Sequence, residues 1–272
     1  LGDEGHIPKL NRNFDSFNAA VGYKNNLTDR IIARINIASG FRAPNLAELT
    51  SNGVHEGTNR YEIGNLNLKN EQNVQTDLAI EFSNDHFEFF ANGFYNTINN
   101  YVFIAPDGTF VNEDSVYRYR QQNADLYGGE IGFHLHPHPY DWLHFESGYQ
   151  TVIGKLNHGE PLPLIPANSL TNTLRVEFTD INYWLHSSYI FTTLNSVFKQ
   201  KRVSSFETDS PGYSLLHFGM GGKLSVFDQD VNIRIAANNL LDKSYISHLS
   251  RLKVDGIPNP GRNISMAVGL SF

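Results

Sequence analysis

The chain contains no cysteine. That removes disulfide frameworks and thiolate metal sites, and it suits transit through an oxidising compartment. Basic residues are also scarce: 21 Lys and Arg face 28 Asp and Glu, for a net charge of -7. A nucleic-acid partner is therefore not expected. No apolar run approaches the ~20 residues that a membrane helix needs. The opening residues, LGDEGHIPKLNRNF, show no basic segment leading into an apolar one. They are not a secretory signal, so the chain is expected to be either unexported or an internal fragment. No low-complexity segment or charge block marks a domain boundary.

What is present is alternation. In RNISMAVGLSF, Ile264, Met266, Val268, Leu270 and Phe272 share one face, and Asn263, Ser265, Ala267, Gly269 and Ser271 share the other. In TLRVEFT, Leu174, Val176 and Phe178 oppose Arg175 and Glu177. Period two with one apolar face signals a strand that is half buried. Such runs predict strands near 13–24, 29–41, 73–83, 87–104, 116–136, 142–154, 168–179, 181–198, 212–226, 230–246 and 262–272.

The apolar faces could meet in a sandwich core or face lipid. Three features favour lipid. The runs exceed the ~5–6 residues usual in globular strands and match the ~9–11 of a spanning strand. The opposite faces are rich in Gly, Ser, Asn and charge, as a wet lumen would be. Connections alternate between short (25-NNLTD, 84-NDH, 137-PHPYD, 180-DI, 227-FDQD) and long (about 42–72, 105–115, 155–167, 199–211, 247–261). Trp142, Tyr183, Trp184 and Phe227 near the short turns suit an interfacial aromatic girdle. The expected fold is an all-β, antiparallel membrane β-barrel in outer-membrane lipid. An odd count of eleven strands leaves two edges that hydrocarbon cannot tolerate. Eleven is half of a 22-stranded plugged barrel, so residues 1–272 are expected to be its C-terminal part, with the plug domain and first strands absent.

Five motifs then resemble, in order, the second half of a TonB-dependent outer-membrane receptor. They are Phe41-Arg42-Ala43-Pro44, Glu48-Leu49, Glu62-Ile63-Gly64-Asn65 running into Asn67-Leu68-Lys69-Asn70-Glu71, Asn123-Ala124 through Gly129-Glu130, and Asn239-Leu240-Leu241-Asp242-Lys243-Ser244-Tyr245. Leu66 and Asn70 stand where the family commonly has proline, so the loop is expected to be less rigid there. The resemblance implies an importer of a scarce nutrient, driven through the TonB complex by an N-terminal region not in this sequence. It implies no permanently bound cofactor and no enzymatic activity, and a terminal Phe272 read by the barrel-assembly machinery. A passive porin or adhesin barrel is the alternative. An outer-membrane hydrolase stands behind both, since no G-x-S-x-G elbow occurs.

Histidines supply the candidate sites. His55, with Glu56, lies between the FRAP-like and NLNLKNE boxes, where haem receptors of the family carry a histidine. The run Ser51-Asn52-Gly53-Val54-His55 resembles one in its zinc receptors. His248 and Arg251 lie in the last long loop, and His158 and Glu160 in NHGEPLP. Imidazole and carboxylate suit zinc and other borderline cations, so His55 and His248 are the expected metal ligands. The cargo is expected to be a metal ion, haem or an iron–siderophore. His144, Glu146 and His217 should face the lumen and hydrogen-bond a plug. His134, His136 and His138 form H-x-H-x-H at a predicted turn, read as structural.

Overall fold

The computed structural model describes residues 11–55, 60–178, 184–226 and 229–270. Eleven strands form one antiparallel meander: β1 (Ala20–Thr28), β2 (Ile31–Arg42), β5 (Glu71–Ser83), β6 (Phe87–Val111), β7 (Asp114–Leu135), β8 (Leu143–Leu156), β9 (Ser169–Phe178), β10 (Leu185–Val197), β11 (Tyr213–Val226), β12 (Gln229–Asn238) and β13 (Asn263–Leu270). A short helix α1 (Leu46–Thr50) and the strands β3 (Asn52–His55) and β4 (Arg60–Ile63) sit between β2 and β5. The thirteen strands make a single sheet, with β3 and β4 off the main path. Among the described residues β1 and β13 pair with only one neighbour each.

Register fixes the two faces. Ile35 pairs with Leu78, Ile190 with Met220, Met220 with Ile235 and Ile235 with Met266. These residues stay exposed; Met266 retains 63% of its surface. A sheet that displays its apolar side chains outward is built for hydrocarbon. Polar pairs on that face are closed by hydrogen bonds: Ser147 Oγ donates to Asn172 Oδ1 at 2.8 Å and Thr97 Oγ1 to Asp125 Oδ1 at 2.9 Å. The other face carries Arg34, Asp77, Glu81, Asn92, Glu130, Arg175 and Arg234. Arg34 and Glu81 form a bidentate pair at 2.7 Å.

Short turns close one end. After β5, Asn84 Oδ1 accepts from the amides of His86 and Phe87, an Asx turn. Trp142 and Trp184 lie exposed at this end; Tyr183 and Phe227 fall outside the described residues.

Three expectations need correction. The stretch 105–115 is not a loop: β6 and β7 continue as a ladder to a two-residue turn, Asn112 and Glu113, both at positive φ. At ~3.3 Å per residue the 25 residues of β6 far exceed a ~30 Å bilayer, so this hairpin projects beyond the membrane. β1 begins at Ala20 rather than at 13. β12 stops at Asn238 because Asn239 and Asp242 adopt positive φ and turn the chain.

Candidate functional site

The family-like residues build the base of the long loop. Asn45 caps α1: its Oδ1 accepts from the Glu48 amide and Glu48 Oε2 accepts from the Asn45 amide, both at 2.9 Å. Glu48 also takes Arg42 Nη1 at 2.8 Å, and Glu71 takes Arg42 Nη2 at 2.7 Å. Glu71 Oε1 then accepts from the Val102 amide. Leu49 and Leu68 bury against Val102 and Tyr119. Glu62, 6% exposed, accepts from Tyr119 Oη and from Arg60 Nε. β4 runs parallel to β7, with Arg60 beside Ser115. The described part of the loop is thus a clamp folded onto the β6–β7 hairpin. In the backbone, His55 ends β3 opposite Arg60. Glu56 lies outside the described residues.

A second small core lies on the other face of the same hairpin. Leu162 and Ile165, from the β8–β9 connection, pack on Ala124 and Leu156, with Tyr101, Phe103, Leu126 and Val152 around them. Gly154 makes the approach possible: a Cβ there would stand 2.8 Å from Ile165 Cδ1. Alternation along β7 puts Ala124 and Leu126 on the polar face and Tyr119 on the opposite one. The β8–β9 connection therefore folds inward. Its Pro166 roofs a groove of about 390 Å³ lined by Asp77, Asn92, Glu130 and Gln150. His158 and Glu160 stay exposed at the tip of this connection.

Two ties join the remaining loops. Gln200, fully enclosed, donates to the carbonyls of Ile165 and Pro166. His248, 7% exposed, places Nδ1 2.8 Å from Ser210 Oγ and 3.3 Å from Lys253 Nζ. Its Nε2 is buried without a hydrogen-bond partner. Burial first, and the Lys253 charge second, hold its pKa below the ordinary value, so the imidazole is neutral near pH 7. Arg251 is exposed on the 3-10 turn Arg251–Lys253.

The NLLDKSY motif is likewise a brace. Asn239 makes two hydrogen bonds to the backbone of Lys243, and Asp242 Oδ1 accepts from the Arg262 amide. Along the wall, His144, Glu146 and His217 share the polar face. His217 Nδ1 lies 3.2 Å from Asn238 Oδ1. Phe272 lies outside the described residues.

At the turn end the structure gathers five histidines. His134 Nε2 is 2.9 Å from His144 Nδ1. His136 lies within ring contact of both and of His86, tilted to the first two and edge-on to His86, and His138 stands beside His86. The sequence reading linked only three of these. His86 joins from the neighbouring turn and His144 from the start of β8, a proximity visible once β6 and β8 are paired with β7.

An outward apolar face, a polar inner face, short turns at one end and folded loops at the other define the wall of a membrane β-barrel. The chain belongs to the TonB-dependent receptor-like β-barrel family, whose family model matches residues 4–240, and its place is the outer membrane. Among solved structures it is similar to the copper transporter OprC (20% identity, TM-score 0.75, 93% of this chain and 39% of that one). It is also similar to the siderophore receptor PirA from Acinetobacter baumannii (18%, 0.67, 94% and 41%), and to the FrpB iron transporter from Neisseria meningitidis (15%, 0.66, 92% and 37%). The chain spans about two fifths of the length of these relatives.

Proposed function

We propose that residues 1–272 are the C-terminal part of a larger barrel, near 22 strands, in a TonB-energised importer. The family match over 4–240 carries this reading. Among the described residues β1 and β13 pair with one neighbour each, which suits a wall continued by further strands, because unpaired strand edges are not tolerated in lipid. Transport rather than catalysis is the activity, and the TonB complex is the partner. The cargo is a metal ion or a metal complex such as haem or an iron–siderophore. Relatives of this fold bear names of copper, siderophore and iron transport.

Capture is assigned to the loop end. The exposed His158, Glu160 and Arg251 offer donors and a cation at once. His55 ends β3, and in the sequence Glu56 follows it directly. His248 joins them only if the tie to Ser210 opens, which would bare Nε2 to a metal.

The test is to titrate the purified receptor with zinc, copper, haem and a ferric siderophore, then repeat with His55→Ala and His248→Ala. A direct ligand costs ~10-fold in affinity, about 1.4 kcal/mol. Unchanged affinity in both variants removes these histidines from the cargo site. In a planar bilayer the receptor should conduct negligibly; large ligand-independent channels would replace the importer with a pore.

A further inference from the structure

The turn end holds a constellation that neither the loops nor the family motifs require. His86 sits in the turn after β5, and His138 and Asp141 in the turn after β7. His86 Nδ1 lies 3.5 Å from Asp141 Oδ1, and His138 Nδ1 lies 3.3 Å from Asp141 Oδ2. The three ligand atoms fall within 4.8 Å of one another. Zinc–nitrogen and zinc–oxygen bonds of ~2.0–2.2 Å in a tetrahedron put ligand atoms roughly 3.4 Å apart. Each imidazole nitrogen stands about one such edge from the Asp141 carboxylate, His86 from Oδ1 and His138 from Oδ2. His86 Nδ1 has no hydrogen-bond partner and is shielded from solvent, so a cation held there would satisfy it.

A string of imidazoles leads from this triad into the barrel wall. Ring centroids step from His138 to His86 (5.6 Å), to His136 (5.6 Å), to His134 (5.3 Å) and to His144 (5.2 Å). Carboxylates flank its inner end: Glu88 lies 3.8 Å from His134 Nδ1, and Glu177 lies 3.7 Å from His144 Nε2. His134 and His144 stand on the polar face, opposite Glu146 and Arg175.

We propose that His86, His138 and Asp141 form a binding site for a borderline divalent cation, zinc, copper(II) or nickel, at the turn end of the barrel. Two imidazoles and one carboxylate select such ions over magnesium or calcium. Three protein ligands leave the fourth position of a tetrahedral site open to water. The histidine string makes this site the outer step of a ladder between the polar bore and the rim. Ions leaving or entering along that wall would move between neighbouring imidazoles. The inference stands on the turn geometry alone and does not need the loop-end cargo assignment.

The experiment uses the detergent-purified receptor and cobalt(II), zinc(II) and magnesium(II) as probes. Cobalt should give the intense visible absorption of a four-coordinate N/O site at one equivalent, and zinc should displace it. Asp141→Asn and His138→Gln, both changes to exposed turn side chains, should each weaken zinc binding at least ~10-fold, while His55→Ala leaves this site unchanged. Zinc should also protect His86 and His138 from carbethoxylation, read residue by residue by mass spectrometry, which needs no variant to fold. Zinc binding unaffected by both turn variants, or no protection of His86 and His138 at saturating zinc, would overturn the proposal. Equal affinity for magnesium would reduce the triad to a generic anionic patch and overturn it as well.

Discussion

Arg42 and Glu71, 29 residues apart, meet as a fork: Nε donates to Glu71 Oε2 at 2.9 Å and Nη2 to Oε1 at 2.7 Å. The last side chain of β2 thus locks the first of β5, across the whole inserted loop. The same guanidinium holds Glu48, so one cation satisfies two carboxylates that are largely buried. Lysine keeps the charge but cannot make both forks. Arg42→Lys should loosen the segment 43–70 by about 1–3 kcal/mol, leaving the barrel intact. Hydrogen exchange should show faster amides in α1, β3 and β4 and unchanged β8–β12. Unchanged exchange in α1 would mean the fork holds nothing.

Gly64 gives a sharper steric test. A Cβ there would stand 2.6 Å from Leu49 C and Thr50 N, both backbone atoms. Neither can swing aside, so Gly64→Ala should displace α1 from Val102 at a cost of about 1–3 kcal/mol. Gly53, whose Cβ would meet nothing within 4 Å, is the control. Limited proteolysis should cut the Gly64→Ala loop faster and leave Gly53→Ala like the parent.

The outward face predicts a membrane-depth effect. Leu78, paired with Ile35, points outward, and Ala79, paired with Arg34, points inward. Leu78→Arg should destabilise the folded barrel by about 2–4 kcal/mol if it lies near the midplane. Ala79→Arg should cost less, because the lumen is wet. Urea unfolding in lipid vesicles measures both, and equal costs would contradict the assigned faces.

His248 makes the loop end sensitive to acid. Its native pKa is depressed by burial and by Lys253, against weaker pulls upward from Glu207 and Asp209. On acidification the open state therefore takes up a proton first. The stabilisation is complete above about pH 6.5 and is lost as the pH falls toward the depressed native value. Amides of 199–211 and 247–259 should exchange faster at pH 5.5 than at 7.5 after correction for intrinsic rates. His248→Gln, which keeps a hydrogen-bonding group and removes the titration, should flatten that difference.

The faces, the meander and the end that carries the loops were legible in the sequence, because alternation and connection length are local properties of the chain. Ile264, Met266 and Val268 announce an outward face wherever the strand is placed. Two kinds of information were not local. The extent of the β6–β7 hairpin depends on Asn112 and Glu113 both accepting positive φ, and polar residues such as Asp107 and Asn112 read as loop when their partners are unknown. The fate of a histidine depends on what packs over it. His248 has the composition of a surface ligand, yet Ser210 closes on it from another loop and Lys253 from its own. His134 and His136 look like turn residues, yet strand pairing sets them beside His144 and His86. The amino-acid sequence determined which face of each strand meets lipid. Only the tertiary structure decided which imidazoles share a few ångströms, because register and loop packing bring together residues that no spacing in the chain connects.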